Sequence, residues 1–132
     1  MEDTGLACAA QAISTSNAIG SHPLWGALFE TAVVAEIRKQ CSFLSPKPKM
    51  YHWRTHGGVE IDIVLEYDGI YYPMEVKAKS NPSRRDTSGI SAFRKRHPEL
   101  PIAAGLILSP TERPIQLSEN DYAVPWDLKS VP

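Results

Sequence analysis

Two acidic residues and a lysine lie on neighbouring predicted strands of this 132-residue chain. Asp62 lies in the first strand, Glu75 and Lys77 lie two residues apart in the second, and Asp68-Gly69 separates the strands. A two-residue turn of this composition joins antiparallel strands. The pairing that it sets places Asp62 directly opposite Glu75.

Facing carboxylates repel each other, because cross-strand Cβ atoms lie only ~4.5–5.5 Å apart. A hard cation between Asp62 and Glu75 would remove the repulsion, and Mg²⁺ (or Mn²⁺) prefers oxygen ligands of this kind. Two alternatives remain open on these two residues alone. The repulsion is tolerated on a solvated face, or a bulge shifts the register.

A third acid, Glu30, lies within the apolar stripe of a predicted helix. The stripe contains Gly26, Val33, Val34, Ile37 and Cys41. A buried glutamate is rare unless it is paired or binds a metal. Glu30 is therefore a candidate metal ligand, and the alternative is a salt bridge to Arg54 or Lys77.

Lys77 follows Glu75 by two residues, so alternation places both side chains on one face of the sheet. A lysine beside a bound phosphate can position an attacking water and offset negative charge. Glu-x-Lys alone is a weak pattern. The combination with Asp62 and Glu30 is more specific, and it predicts phosphoryl chemistry.

The elements that must position these residues alternate between helical and strand patterns. The first twenty residues are predicted as small-residue helix and turn, and Ser21 is predicted to cap a helix that has Pro23 in its first turn and ends near Cys41. Further on, the sequence predicts strands at Met50 to Thr55, Val59 to Tyr67, Ile70 to Lys79, Ile102 to Leu108 and Tyr122 to Val124, and a helix from Thr87 to Arg96. This order predicts an α/β sandwich with a mixed central sheet flanked by helices.

Composition bounds the class of protein. The chain is 42% hydrophobic and 22% charged, with 14 Lys+Arg against 15 Asp+Glu, which is typical of one globular domain over residues 1–132. Cys8 and Cys41 form no disulfide framework or metal-type pair. Polar residues interrupt the uncharged stretch at residues 4–29, so we expect no membrane span and a reducing, cytoplasmic compartment.

Half of the basic residues fall between Glu75 and Leu100. A local basic surface on a neutral domain is compatible with a phosphate-bearing partner, and a solvated helix face is the alternative. The candidate nucleic-acid contacts are Lys79, Arg84, Arg85 and Arg54.

The acid and lysine pattern resembles the PD-(D/E)xK, or restriction-endonuclease-like, superfamily. The sequence along the rest of the chain resembles the domain of unknown function that follows AAA-type ATPase modules in bacteria and archaea. The resembling blocks are Asp3-Thr4-Gly5-Leu6, Gly26-Ala27-Leu28-Phe29-Glu30, Tyr51-His52-Trp53-Arg54-Thr55, Val59-Glu60-Ile61-Asp62, Pro73-Met74-Glu75-Val76-Lys77 and Val124-Pro125-Trp126.

This resemblance implies a restriction-endonuclease-like core in which Asp62 and Glu75 hold Mg²⁺, with the Val76 carbonyl as a further ligand. It also implies that Lys77 serves the attacking water and that Glu30 belongs to the metal shell. His52 and Ile63 depart from the more usual residues, but neither belongs to the acid and lysine set.

The function expected from the acid and lysine set is Mg²⁺-dependent hydrolysis of phosphodiester bonds, with DNA as the substrate in preference to RNA. The alternative is a non-catalytic domain that binds nucleic acid or regulates a partner. The chain contains no phosphate-binding loop of the Gly-x-x-x-x-Gly-Lys-Ser/Thr type, so we expect ATP to bind an upstream ATPase module of a longer protein and not this chain. The sequence leaves oligomerisation open.

Overall fold

The computed structural model describes residues 23–126. The predicted small-residue helix and turn of the first twenty residues, the Ser21 cap, Cys8 and the block that begins at Asp3 lie outside the described residues. Over the described range, every helix is too short or too polar to traverse a lipid bilayer.

The described residues form two α-helices, one short 3₁₀ helix and six strands. In chain order they are α1 (Pro23–Cys41), β1 (Lys49–Arg54), β2 (Glu60–Tyr67), β3 (Ile70–Val76), a 3₁₀ helix (Arg84–Thr87), α2 (Ser88–Arg96), β4 (Gly105–Ser109), β5 (Ile115–Gln116) and β6 (Asp121–Pro125). Within the described residues, the predicted helices and strands are confirmed, with shifts of up to three residues at their ends. The two-residue strand β5 was not predicted.

All six strands form one mixed sheet in the order β1-β2-β3-β4-β6-β5. Strand β2 runs antiparallel to both of its neighbours, β1 and β3, whereas β3, β4 and β6 run parallel. The crossover between β3 and β4 contains α2, as parallel neighbours require. The architecture is the predicted α/β sandwich with a mixed sheet.

Each face of the sheet buries its own apolar cluster. The cluster under α1 contains Phe29, Val33, Ile37, Cys41, Ile63, Val76 and Leu108. The cluster under α2 contains Ile61, Val64, Ile90, Phe93, Ile107 and Ala123. Membership of a cluster shows on which face of the sheet each apolar residue of β2 and β3 lies. The faces of the acidic residues next to them in the strands follow from alternation.

A buried ion pair fixes α2 against the end of the sheet. Asp121 is 2% exposed, and its Oδ1 lies 2.7 Å from Nη2 of Arg94. The Ser118 hydroxyl donates a second hydrogen bond to the same carboxylate at 2.7 Å. Burial alone would raise the pKa of Asp121, but the hydrogen bonds from Arg94 and Ser118 hold it below its ordinary value.

Gly105 begins β4 beside this ion pair, and it tests how tightly the pair is packed. A Cβ at this position would collide with the Asp121 carboxylate and approach Ile90 to 2.8 Å. We expect Gly105→Ala to lower the free energy of unfolding by about 1–3 kcal/mol in urea denaturation. Gly26→Ala is the control, because a Cβ added there would meet no atom of another element within 4 Å. Its free energy of unfolding should rise by up to ~1 kcal/mol from helix propensity. Equal stabilities for the two variants would contradict the tight packing.

Candidate functional site

Strands β2 and β3 separate at the candidate site. Their register is the predicted one, from Tyr67↔Ile70 at the turn to Ile63↔Met74. Beyond that pair, Asp62 N–H donates to Oε1 of Glu75 at 3.3 Å, and Val76 N–H donates to Oδ2 of Asp62 at 2.8 Å. Side-chain carboxylates thus accept hydrogen bonds from backbone N–H groups of the opposite strand where the regular pairing ends.

A β-bulge directs Asp62 toward helix α1. On β1, Tyr51 pairs with Val64 but Trp53 pairs with Ile61, so Asp62 and Ile63 together face His52. A bulge reverses the alternation of side chains, and Ile61 and Ile63 accordingly lie in clusters on opposite faces. Regular alternation along β2 would place Val59, Ile61, Ile63 and Leu65 on one face, but the extra residue, which cannot be recognised from β2 alone, moves Ile61 to the other face from Ile63.

Glu30 meets Asp62 from the α1 side of the sheet. The pKa of Glu30 is raised to about 7, first by the hydrogen bond between its side chain and that of Asp62, and then by burial and the charge of Asp62. The buried stripe of α1 consists of Phe29, Val33, Ile37 and Cys41. Glu30 therefore lies at the border of the stripe and not at its centre. Within residues 23–126, neither Arg54 nor Lys77 forms an ion pair with it.

Glu75 lies on the other side of the gap, under α2. It is 7% exposed, and its pKa is raised to about 7, first by burial and then by the charge of Asp62, while Lys77 opposes the rise. Helix α2 begins directly against it: a Cβ on Gly89 would lie 3.4 Å from Oε2 of Glu75 and 2.8 Å from the Glu60 carbonyl oxygen. Gly89 is thus a site residue that the sequence analysis did not single out.

The three acids form a chain that crosses the sheet, with Asp62 between Glu30 and Glu75. Over residues 23–126, no three side chains of His, Cys, Asp or Glu are grouped as a preformed metal site. Mg²⁺ needs only one or two protein carboxylates in addition to waters and substrate phosphate. Asp62 and Glu75 supply that number of hard oxygen donors, so the residues present fit such an ion.

Val76 and Lys77 complete the environment of the acid chain. Val76 N–H points into the gap toward Asp62, and the carbonyl of a strand residue points to the same side as its N–H. Val76 and Ala78 pack toward α1, so alternation places Lys77 on the α2 side with Glu75. Its N–H donates to the Leu108 carbonyl at 2.9 Å, which continues the parallel pairing with β4.

Sequence comparison connects this arrangement to a known family. The family model described as "Domain of unknown function (DUF4143)" matches residues 25–128, which is most of the chain. The chain belongs to the DUF4143 family. No solved structure matches it at a significant level.

Two mycobacterial proteins are similar to this DUF4143 domain along nearly its whole length. They are the "Uncharacterized protein Mb2031c" of Mycobacterium bovis and the "Uncharacterized protein Rv2008c" of Mycobacterium tuberculosis, each 33% identical over 128 residues. The alignment covers 96% of this chain but 27% of each relative. The chain therefore spans about a quarter of the length of these curated relatives.

The predicted nucleic-acid contacts of the DUF4143 domain differ in their surroundings. Arg54 pairs with Glu60 at 3.2 Å, and Lys79 pairs with Asp86 at 2.9 Å. Arg84 and Arg85 are exposed on the 3₁₀ helix, and neither forms an ion pair within the described part of the chain. These two arginines are the members of the predicted set that are available to an external phosphate.

The raised pKa of Glu75 makes the stability of the metal-free DUF4143 domain depend on pH. A carboxyl whose pKa rises from 4.5 to about 7 on folding stabilises the fold fully below pH ~4.5, and this contribution is lost as the pH rises through 7. In urea denaturation with chelator, the free energy of unfolding of the parent should fall by about 2 kcal/mol between pH 5 and 8 because of Glu75. Glu75→Gln should lack this contribution. Glu119→Gln, on an exposed loop, should keep the parental pH dependence. Parallel pH profiles for all three proteins would contradict the assignment.

Proposed function

We propose that this domain hydrolyses phosphodiester bonds of nucleic acid with the help of Mg²⁺ or Mn²⁺. The observation that carries the proposal is the chain of Glu30, Asp62 and Glu75 in the gap between β2 and β3, with Lys77 beside Glu75. Carboxylates that are this close, and that are not neutralised by arginine or lysine ion pairs within residues 23–126, are suited to a cation.

When bound, a divalent cation supplies polarisation of the phosphate and a lower pKa for the attacking water. Asp62, Glu75 and the Val76 carbonyl would hold it, and Glu30 would orient Asp62 through the hydrogen bond that they share. Glu75 must lose its proton to act as a ligand, so affinity for the cation should rise with pH.

Lys77 has a separate role in this proposal. Its ammonium group lies on the Glu75 side of the gap, where it can hydrogen-bond to the attacking water and offset the charge that develops on the phosphate. The Lys77 charge already reaches Glu75, since it lowers the pKa of that carboxyl. Lys77 is therefore proposed as a catalytic residue, and Arg84 and Arg85 as contacts to phosphates farther along the strand.

The resemblance to the PD-(D/E)xK superfamily and to domains that follow AAA-type ATPase modules supports a wider proposal. We infer that the substrate is DNA in preference to RNA. We also infer that in the full-length protein an upstream ATPase module works on the same DNA. We also place the protein in the cytoplasm. The relatives, of which this domain covers about a quarter, leave room for such a module.

A second candidate function is binding of nucleic acid without hydrolysis. It is favoured by one observation: Arg84 and Arg85 are exposed and form no ion pair within the described residues, so they are available to phosphates whether or not the acids act on the bond. A domain with this fold and a cation held by two carboxylates would still bind phosphate.

A nuclease assay separates the two functions. We expect the parent to cleave plasmid, single-stranded or branched DNA with Mg²⁺ or Mn²⁺, and Lys77→Ala to lower the rate by about 10²-fold or more. Lys47→Ala, on the exposed loop after α1, is the matched control and should keep the parental rate. Absence of cleavage of all three substrates by the parent would reject hydrolysis and favour the binding function.

Thermal melts test the cation independently of the substrate. In chelator at pH 8, Asp62→Asn should stabilise the domain by about 1 kcal/mol, because one of three neighbouring negative charges is removed. Metal at ten times its dissociation constant should stabilise the parent by about 1.4 kcal/mol, and Asp62→Asn should lose most of this response. Asp68→Asn, in the hairpin turn, should keep it. If Asp62→Asn melts at a lower temperature than the parent in chelator, and metal changes the melting temperature of neither, the acids form a purely structural network.

A further inference from the structure

The connection between β3 and α2 places two exposed arginines beside a buried aspartate. Arg84 and Arg85 are exposed on the 3₁₀ helix, whereas the side chain of the next residue, Asp86, is only 8% exposed. Opposite charges this close in sequence attract each other. Nevertheless, neither arginine forms an ion pair within the described part of the chain.

Two other groups bind the carboxylate of Asp86. Its Oδ2 accepts a hydrogen bond from the Ser83 N–H at 2.8 Å and lies 2.9 Å from Nζ of Lys79. Burial alone would raise the pKa of Asp86, but the hydrogen bonds from Ser83 and Lys79, and the charges of Lys79 and Lys77, hold it below its ordinary value. The aspartate is therefore ionised at neutral pH, and a lysine already neutralises it.

The backbone that carries the two arginines is fixed from below. Pro82 and Thr87 are buried on either side of them. The Thr87 hydroxyl donates a hydrogen bond of 2.7 Å to the Arg84 carbonyl. Because the Lys77 charge lowers the pKa of Asp86, this connection lies beside the proposed catalytic lysine.

We propose that Asp86 and Lys79 are positioning residues for Arg84 and Arg85, which bind phosphates of the nucleic acid beside the acid chain. Lys79 prevents Asp86 from pairing with an arginine, and Asp86 ties Lys79 to the base of α2. The inference rests on the proposed function, since it requires a phosphate-bearing partner. It goes further, because it assigns a role to Asp86 and changes the role of Lys79 from a phosphate contact to a support.

The sign of one substitution separates positioning from charge alone. Asp86→Asn removes a negative charge from a phosphate-binding surface and releases the Lys79 ammonium group, so attraction alone predicts tighter binding. Positioning predicts weaker binding, because the two arginines must then be ordered when the nucleic acid binds. An asparagine oxygen can still accept the Ser83 N–H, so the variant removes the ion pair and keeps that hydrogen bond.

Fluorescence anisotropy with a dye-labelled DNA duplex measures this sign. The linkages of the duplex are phosphorothioates, which resist hydrolysis, and binding to the whole chain is measured in Mg²⁺. We expect Asp86→Asn to weaken binding about tenfold and to reduce the salt slope by about 0.9 for each phosphate contact that is lost. Glu99→Gln, which removes the same charge at an exposed position, is the matched control and should not weaken binding.

Lys79 provides a second variant that keeps the carboxylate. Lys79→Met leaves Asp86 free to pair with an arginine, so binding should weaken about tenfold. Lys79→Arg keeps the ion pair and should bind as the parent does. Lys47→Met, on the exposed loop after α1, is its control and should also bind as the parent does. Circular dichroism confirms that each variant is folded, and Lys79→Met decides the question if Asp86→Asn does not fold.

A variant without the two arginines shows whether the support acts through them. Arg84→Ala combined with Arg85→Ala should weaken binding on its own. Adding Asp86→Asn or Lys79→Met to this variant should weaken binding no further, because residues that act through the same contacts are not additive. A lysine that contacts phosphate directly would show its full effect in this background.

Three results would overturn the inference: unchanged or tighter binding by Asp86→Asn, a full effect of Lys79→Met without the arginines, or no binding by the parent. These outcomes are distinct from those of the nuclease assay. Cleavage that depends on Lys77, with binding indifferent to Asp86 and Lys79, would leave the proposed hydrolysis standing and remove the positioning role. Binding that depends on Asp86 through the arginines, without cleavage, would do the reverse.

Discussion

The separation of β2 from β3 beyond the pair Ile63↔Met74 determines how the rest of the site is built. Backbone N–H groups on both strands need acceptors there, because an unpaired N–H in a buried region is costly. The carboxylates of Asp62 and Glu75 accept hydrogen bonds from two of these groups. The structure thus holds two acids close together through hydrogen bonds from backbone N–H groups of the opposite strand, which offset part of their repulsion.

The two helices enclose this gap from opposite faces. Helix α1 brings Glu30 to Asp62, and the start of α2 lies against Glu75, where the absence of a side chain on Gly89 permits the approach. The ion pair between Arg94 and Asp121 anchors α2 near its other end. A shift of α2 would therefore alter the burial of Glu75, and with it the pKa of that acid.

Local signals allowed much of this arrangement to be predicted from the sequence. The turn Asp68-Gly69 adopts the positive φ angles of 54° and 79° that its residues tolerate, and it fixed the register that brings Asp62 toward Glu75. The remainder depends on partners distant in sequence. The bulge on β2 exists only relative to β1, and Arg94 pairs with a residue 27 positions later. The alternation of β2 and the border position of Glu30 could not be read from periodicity for that reason.

The bulge opposite His52 makes the fold and the site separable in evolution. Deleting Asp62 would give β1 and β2 an uninterrupted ladder, with regular alternation along β2. Such a deletion would leave a well-paired sheet but no acid directed at Glu30. A single deletion could thus remove the acid chain while making the sheet more regular, because the extra residue serves the site and not the strand pairing.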